Sequence, residues 1–254
     1  MVSELDLQLP KLDLRDARIW LSGSIPEPAG ESPDIRATLE AWSGSELERG
    51  ILGFVQEFAS LAMTYGGQII HGCHPSFTPI LLDCVRGRND VSTDLLELCA
   101  SRYFVNPDDN DWNRWSRHSK TTLIESTGGN ADDRDTSLAV LRDYMAKQCT
   151  AFVAVGGRWW SSVPGRAGVP REFERAKAAG VPCFILGGFG GASQTYVQEN
   201  PDWAEDLNNG LSRKENEELS RTTNFALAAG RIASQLQILS SSTGEQGFNG
   251  MSGM

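Results

Sequence analysis

Short apolar runs that close on glycine or small polar residues alternate along this chain with stretches whose apolar residues recur every three or four positions. The runs predict strands and the recurring spacing predicts helices. The first run, Ala17–Leu21, closes at Ser22-Gly23-Ser24. A polar, Pro-containing stretch from Ile25 to Ser45 follows, long enough that it either covers a site or moves. Ile51, Phe54, Val55, Phe58, Leu61 and Ala62 then mark a helix over Glu46–Tyr65, stopped by Gly66-Gly67. Gln68–His71 reads as a second strand, Phe77–Val85 as a helix, Arg102–Val105 as a third strand and Thr121–Ile124 as a fourth. Leu138, Leu141 and Met145 share a face of a helix over Asp135–Lys147. Ala151–Val155 is the clearest strand and runs into Gly156-Gly157. A helix over Pro170–Ala179 has proline in its first turn and Gly180 beyond its end. Val181–Leu186 is a further strand, and a polar loop leads to a last helix over about Glu215–Leu239.

Strands alternating with helices predict an α/β fold: a Rossmann-like parallel sheet with helices on both faces. Nearly continuous apolar strands agree, because parallel strands are buried on both sides. The chain has 254 residues, within reach of a single domain, and shows no internal repeat. The expected organisation is an N-terminal segment over 1–15, the domain over 16–239 and a Ser/Gly-rich disordered tail over 240–254.

The formal charge of −10 argues against nucleic acid and anionic membrane as partners. A bound phosphate must then meet a local cluster of arginines and backbone N–H groups. The five cysteines include no C-x-x-C pair and mostly sit in apolar stretches, as buried free thiols do in a reducing compartment. His71, Cys73 and His74 are close in sequence but too open a set for zinc, so they read as a packed loop and no metal is expected. No targeting pattern or apolar stretch of about 20 residues is visible, and a cytoplasmic location is expected.

In open parallel sheets, ligands bind beyond the carboxyl ends of the strands. Those ends are expected at Ser22-Gly23-Ser24, at Gly72-Cys73-His74-Pro75, at Gly156-Gly157-Arg158 and at Gly187-Gly188-Phe189-Gly190-Gly191. Glycines there either make tight turns or let the backbone approach a ligand, and four such loops on one edge favour a ligand. After Gly156-Gly157 come Trp159 and Trp160, then Pro164-Gly165, then Gly168 and, four residues further on, Glu172. Glu172 at the start of a helix either accepts hydrogen bonds from ribose hydroxyls or complements the helix dipole, with Glu174 as the alternative in register. Arg142 and Arg158 flank the glycine turn and can fork onto a pyrophosphate. Trp159 and Trp160 either stack on a purine or cap the core or a dimer contact, whereas Trp112 and Trp115 read as an interface or lid.

These motifs resemble the SLOG superfamily, which joins the DNA-processing Smf/DprA proteins and the Lonely guy cytokinin-activating enzymes. The resemblance runs through Arg142-Asp143-Tyr144-Met145, Val153-Ala154-Val155-Gly156-Gly157-Arg158, Gly168 to Ala176, Gly180-x-Pro182 and Gly187 to Ala192. Ser22-Gly23-Ser24 is similar to the family's opening loop. Gly66-Gly67-x-x-Ile70-x-Gly72-x-His74-Pro75-Ser76 resembles the second-strand loop of its sensor branch. In all it spans roughly residues 15 to 195.

Two branches imply two functions. Lonely guy enzymes are phosphoribohydrolases with the signature Pro-Gly-Gly-x-Gly-Thr-x-x-Glu. This chain keeps Gly168 and Glu172, has Val169 in place of the threonine, and separates Gly156-Gly157 from Pro164-Gly165 by an insertion. The sensor branch, such as the SLOG domains of Thoeris anti-phage effectors, binds cyclic ADP-ribose isomers. Its pattern of arginine, basic residue and glutamate is matched by Arg142, Arg158 and Glu172. The resemblance therefore implies a sensor of an NAD-derived or cyclic ADP-ribose-like nucleotide. The ligand contacts it implies are Ser22, Gly23, Ser24, Gly72, His74, Arg142, Gly156, Gly157, Arg158, Gly168, Glu172, Gly187, Gly188 and Gly190. The alternative is an N-glycosidase acting on a nucleoside monophosphate or ADP-ribose with Glu172 and Arg142 as catalytic residues. A scaffold without a ligand is the third reading. A homodimer is expected, a separate effector protein would complete a sensor, and no cofactor is expected.

Overall fold

Strands β1 (Arg18–Ser24), β2 (Gln68–His71), β3 (Leu96–Ser101), β4 (Lys120–Ile124), β5 (Ala151–Gly156) and β6 (Cys183–Leu186) form one parallel sheet in the order β4-β3-β2-β1-β5-β6. The structure is a computed structural model that describes residues 12–26, 44–88, 93–125, 133–159, 167–205 and 207–246. Among them lie eight α-helices: α1 (Gly44–Thr64), α2 (Thr78–Arg86), α3 (Asn110–Trp115), α4 (Asp133–Gln148), α5 (Gly168–Ala178), α6 (Gly191–Glu199), α7 (Arg213–Arg221) and α8 (Phe225–Gln246). None of them is long and apolar enough to cross a membrane.

Alternation within each strand builds a core on each face of the sheet. Ile19, Leu21, Val153, Val155, Phe184 and Leu186 enter one core, beside α1, α2 and α8. Trp20, Phe152, Ala154, Cys183 and Ile185 enter the other, beside α4, α5 and α6. Trp20 meets Phe152 edge-on, with ring centroids 5.1 Å apart. Ile51, Phe54, Val55, Phe58 and Ala62, all fully buried, form the inward stripe of α1. Leu14 is fully buried too, so the expected N-terminal segment contributes to the domain's core.

Several expected elements are placed differently. Ser22, Gly23 and Ser24 continue β1 and pair with Ala154, Val155 and Gly156. The third strand is Leu96–Ser101, while Arg102–Val105 is the turn that follows it. Glu97 interrupts the apolar run of that strand, and its charge is buried only because four side chains meet it. Arg18, Lys120, Thr122 and Tyr144 all contact its carboxylate, at 2.7–3.1 Å. The polar loop after β6 contains α6, and the expected last helix is two helices, α7 and α8. Ser240 to Gln246, assigned to the tail from their composition, continue α8. Residues 1–11, 247–254 and most of the Ile25–Ser45 stretch lie outside the described residues.

Candidate functional site

The chain winds outward from β1 through β2 and β3 to β4, then returns to pair β5 with the opposite edge of β1. The helix after β1 packs on one face and the helix after β5 on the other, so the two strand ends part and leave a crevice. A cavity of about 290 Å³ opens there. The loops after β1, β2 and β5, the start of α5 and one side of α4 form its walls.

Two glycines fix how the strand ends approach one another. A side chain at Gly23 would place Cβ 1.9 Å from the Val155 carbonyl oxygen, at φ +146°. One at Gly157, φ +90°, would meet Val169 Cγ2 at 2.5 Å. The Gly157 N–H instead donates to the Ser24 carbonyl at 2.7 Å, and its own carbonyl accepts from Ala192 N–H at 2.8 Å.

The polar centre of the cavity is Glu172, in the second turn of α5. Ser22 Oγ donates to its Oε2 at 2.6 Å and Arg142 Nε to its Oε1 at 3.2 Å. The Arg142 and Glu172 side chains are 7% and 19% exposed, so water screens the pair weakly. Arg134, Arg158 and Arg171 also line the cavity, giving, among the described residues, four guanidiniums against two carboxylates, Asp135 and Glu172. This local excess of positive charge sits in a chain of net charge −10. Among the described residues no side chain caps α5, and Gly168 and Val169 of its first turn line the cavity.

His71 forms the floor next to β1. Its Nδ1 lies 2.9 Å from the Leu21 carbonyl, and its Nε2 accepts from the His74 N–H at 3.1 Å. Those partners need a neutral ring with the proton on Nδ1. Burial pushes the pKa of His71 down, against the opposing effect of the bond to the Leu21 carbonyl. The neighbouring Cys73 adopts φ +58°, and burial pushes its thiol up to about 12, so it is no nucleophile at neutral pH. His74 Nδ1 and Ser76 Oγ are 2.8 Å apart, which ties the loop after β2 to itself.

Ten of the expected contacts meet at this cavity: Ser22, Gly23, Ser24, Gly72, His74, Arg142, Gly157, Arg158, Gly168 and Glu172. Gly156 lies behind the wall, with Ser24 O and Ile51 Cδ1 at 2.5 and 2.8 Å from where its Cβ would be. Gly187, Gly188 and Gly190 do not reach the cavity, because β6 lies beyond β5, away from the crevice. Gly187 and Gly188 border a different cavity of about 530 Å³ against α6 and α7, and Gly190 faces Leu47 of α1. The convergence is thus of three loops.

Glu174, the alternative in register, accepts from Tyr196 Oη at 3.1 Å, outside the cavity. Trp159 is packed in the core beside α5, whereas Trp160 and Pro164-Gly165 lie outside the described residues. Trp112 is buried and Trp115 packs on the other core, their rings 6.3 Å apart, so both anchor α3 to the domain.

Arg134 and Arg171 were not among the expected contacts. The signal was present: Arg134, Leu138 and Arg142 recur every four residues on the α4 face that supplies Leu141 and Met145, and Arg171 adjoins Glu172.

Residues 110–200 match the family model described as SLOG cluster2. Among solved structures, the chain is similar to TM1055, an X-ray structure of a structural genomics target. The two share 16% identity over 72% of this chain and 81% of that one, with a TM-score of 0.43. No curated protein matches the sequence.

Proposed function

We propose, on the premise that this chain is a SLOG-superfamily protein with a nucleotide-related function, that it is a sensor of an NAD-derived or cyclic ADP-ribose-like nucleotide. The observation that carries the reading is the crevice between β1 and β5. There, four arginines and the start of α5 line a cavity around a carboxylate already held by Ser22 and Arg142. Arginines and helix N–H groups suit phosphate, and a fixed carboxylate suits ribose hydroxyls. A sensor of this kind acts through a separate effector protein, as in bacterial anti-phage signalling, and assembles as a homodimer. Light scattering tests the assembly, and a monomer mass with and without ligand would remove it.

One observation favours a second reading, an N-glycosidase. The Glu172 carboxylate is positioned from two sides next to a cation, as cleavage through an oxocarbenium-like transition state requires. Calorimetric titration with AMP, NAD and ADP-ribose, with chromatography of the same mixtures, separates the two. Binding with every nucleotide intact supports the sensor. Base released by the native protein but not by folded Glu172→Gln supports the glycosidase. For either, Arg142→Ala and Arg158→Ala should each weaken binding by about 1.5–3 kcal/mol, and unchanged affinity in both variants would overturn the site.

A further inference from the structure

Two large aromatic side chains stand in water on the same sheet edge as the cavity. Tyr103 and Phe104 follow β3 and are 45% and 49% exposed. Their rings meet edge-to-face, with centroids 4.8 Å apart. Neither is counted in the two cores of the described residues. The backbone that carries them is nevertheless fixed. The Tyr103 N–H donates to Ser101 Oγ at 3.2 Å, Phe104 N–H to the Ser101 carbonyl at 2.9 Å, and Arg102 N–H to the Ile124 carbonyl at 3.0 Å. Arg134 joins this pair to the cavity, since it lines the cavity wall and holds its guanidinium carbon 5.9 Å from the Phe104 ring centroid. From β1 to β3 is two strand spacings, about 10 Å.

Resting on the reading of the crevice as a phosphate site, we propose that Tyr103 and Phe104 form the subsite for the ligand's nucleobase. Phosphate is held among Arg142, Arg158 and the start of α5, and the ribose lies across the end of β2. The flat ring then stacks on the aromatic pair beside Arg134, whose guanidinium is itself a planar stacking surface. Stacking reads a flat ring and no particular hydrogen-bond pattern, so this subsite selects for a base without choosing strictly among bases. The ligand class follows: a nucleotide, in preference to a sugar phosphate.

The test compares AMP with ribose 5-phosphate, which keeps the phosphate and sugar and lacks the ring. Titrations use the native protein, Y103A/F104A and Y103L/F104L, the second pair keeping apolar bulk without a flat face. Circular dichroism confirms the fold of each. AMP should bind the native protein about tenfold more tightly than ribose 5-phosphate. In both double variants that preference should fall to near one, with ribose 5-phosphate affinity unchanged. An AMP preference that survives in the variants overturns the aromatic subsite and leaves the phosphate site standing. So does a loss of both probes in equal measure from a folded variant. A native protein that binds neither probe overturns the phosphate site and this subsite together.

Discussion

Glu172 holds a charge that Arg142 cannot spare. With its side chain 7% exposed, Arg142 has little water to replace a lost counter-ion. Glu172→Gln should therefore cost about 1–3 kcal/mol of stability. Arg142→Met should cost a similar amount, and the double variant less than the two together, because each single change removes the same interaction. Urea denaturation of the four proteins measures the coupling, and strictly additive costs would mean that the pair contributes nothing. Glu97 makes a similar case at the opposite edge of the sheet. Burial alone would raise its pKa, but bonds from Thr122, Lys120 and Tyr144 outweigh this and hold the carboxyl below the usual range. A depressed carboxyl stabilises the fold above its unfolded value, near 4.3, and the contribution disappears as pH falls through the folded value. Native protein should thus be more stable than Glu97→Gln at pH 7, and the gap should close toward pH 3. A gap independent of pH would disprove the role of the charge. Glu172 was legible because it lies at motif spacing after Gly168, and Arg142 because it stands on the helix before the Gly156-Gly157 turn, where the family pattern has an arginine. The partners of Glu97 were not, since Arg18, Lys120 and Tyr144 come from three separate elements.

Elements were legible where one signal ruled. The period in α1 and the unbroken apolar run of β5 each leave little choice. Signals conflicted in β3, whose Glu97 breaks the run while the next turn carries aromatic residues of high strand propensity. The starts of α7 and α8 each carry a capping signal. Ser212 and Glu215 form a capping box that starts α7, and Asn224 Oδ1 accepts from Leu227 N–H where α8 begins. The break between these helices gives Gly188 its role. A Cβ on Gly188 would lie 2.5 Å from the Thr222 carbonyl oxygen and 2.7 Å from that of Arg221. Gly188→Ala must push the end of α7 away from the turn after β6, at a cost of about 1–3 kcal/mol. Thermal unfolding should show the loss, while nucleotide affinity of the folded variant stays native. A folded Gly188→Ala that loses affinity would return this glycine to the binding site.

At the scale of the whole molecule, α/β alternation predicted the parallel sheet but not which strands are neighbours. Strand order depends on contacts far apart in sequence, and it is strand order that opens the crevice beside β1. The pairing of Ile19 with Ala151 has a further consequence, for synthesis on the ribosome. β1 emerges first and gains β2 on one side early, yet its other edge has no partner until β5 has been made. Through that interval an apolar strand offers unpaired N–H and C=O groups to any other chain. A polypeptide released after Gln148 should therefore aggregate, while one extending through β6 should begin to acquire protease resistance. Expression of nested C-terminal truncations, followed by sedimentation and limited proteolysis, would locate the change. Nascent chains stalled before residue 151 are the ones for which a chaperone should matter most.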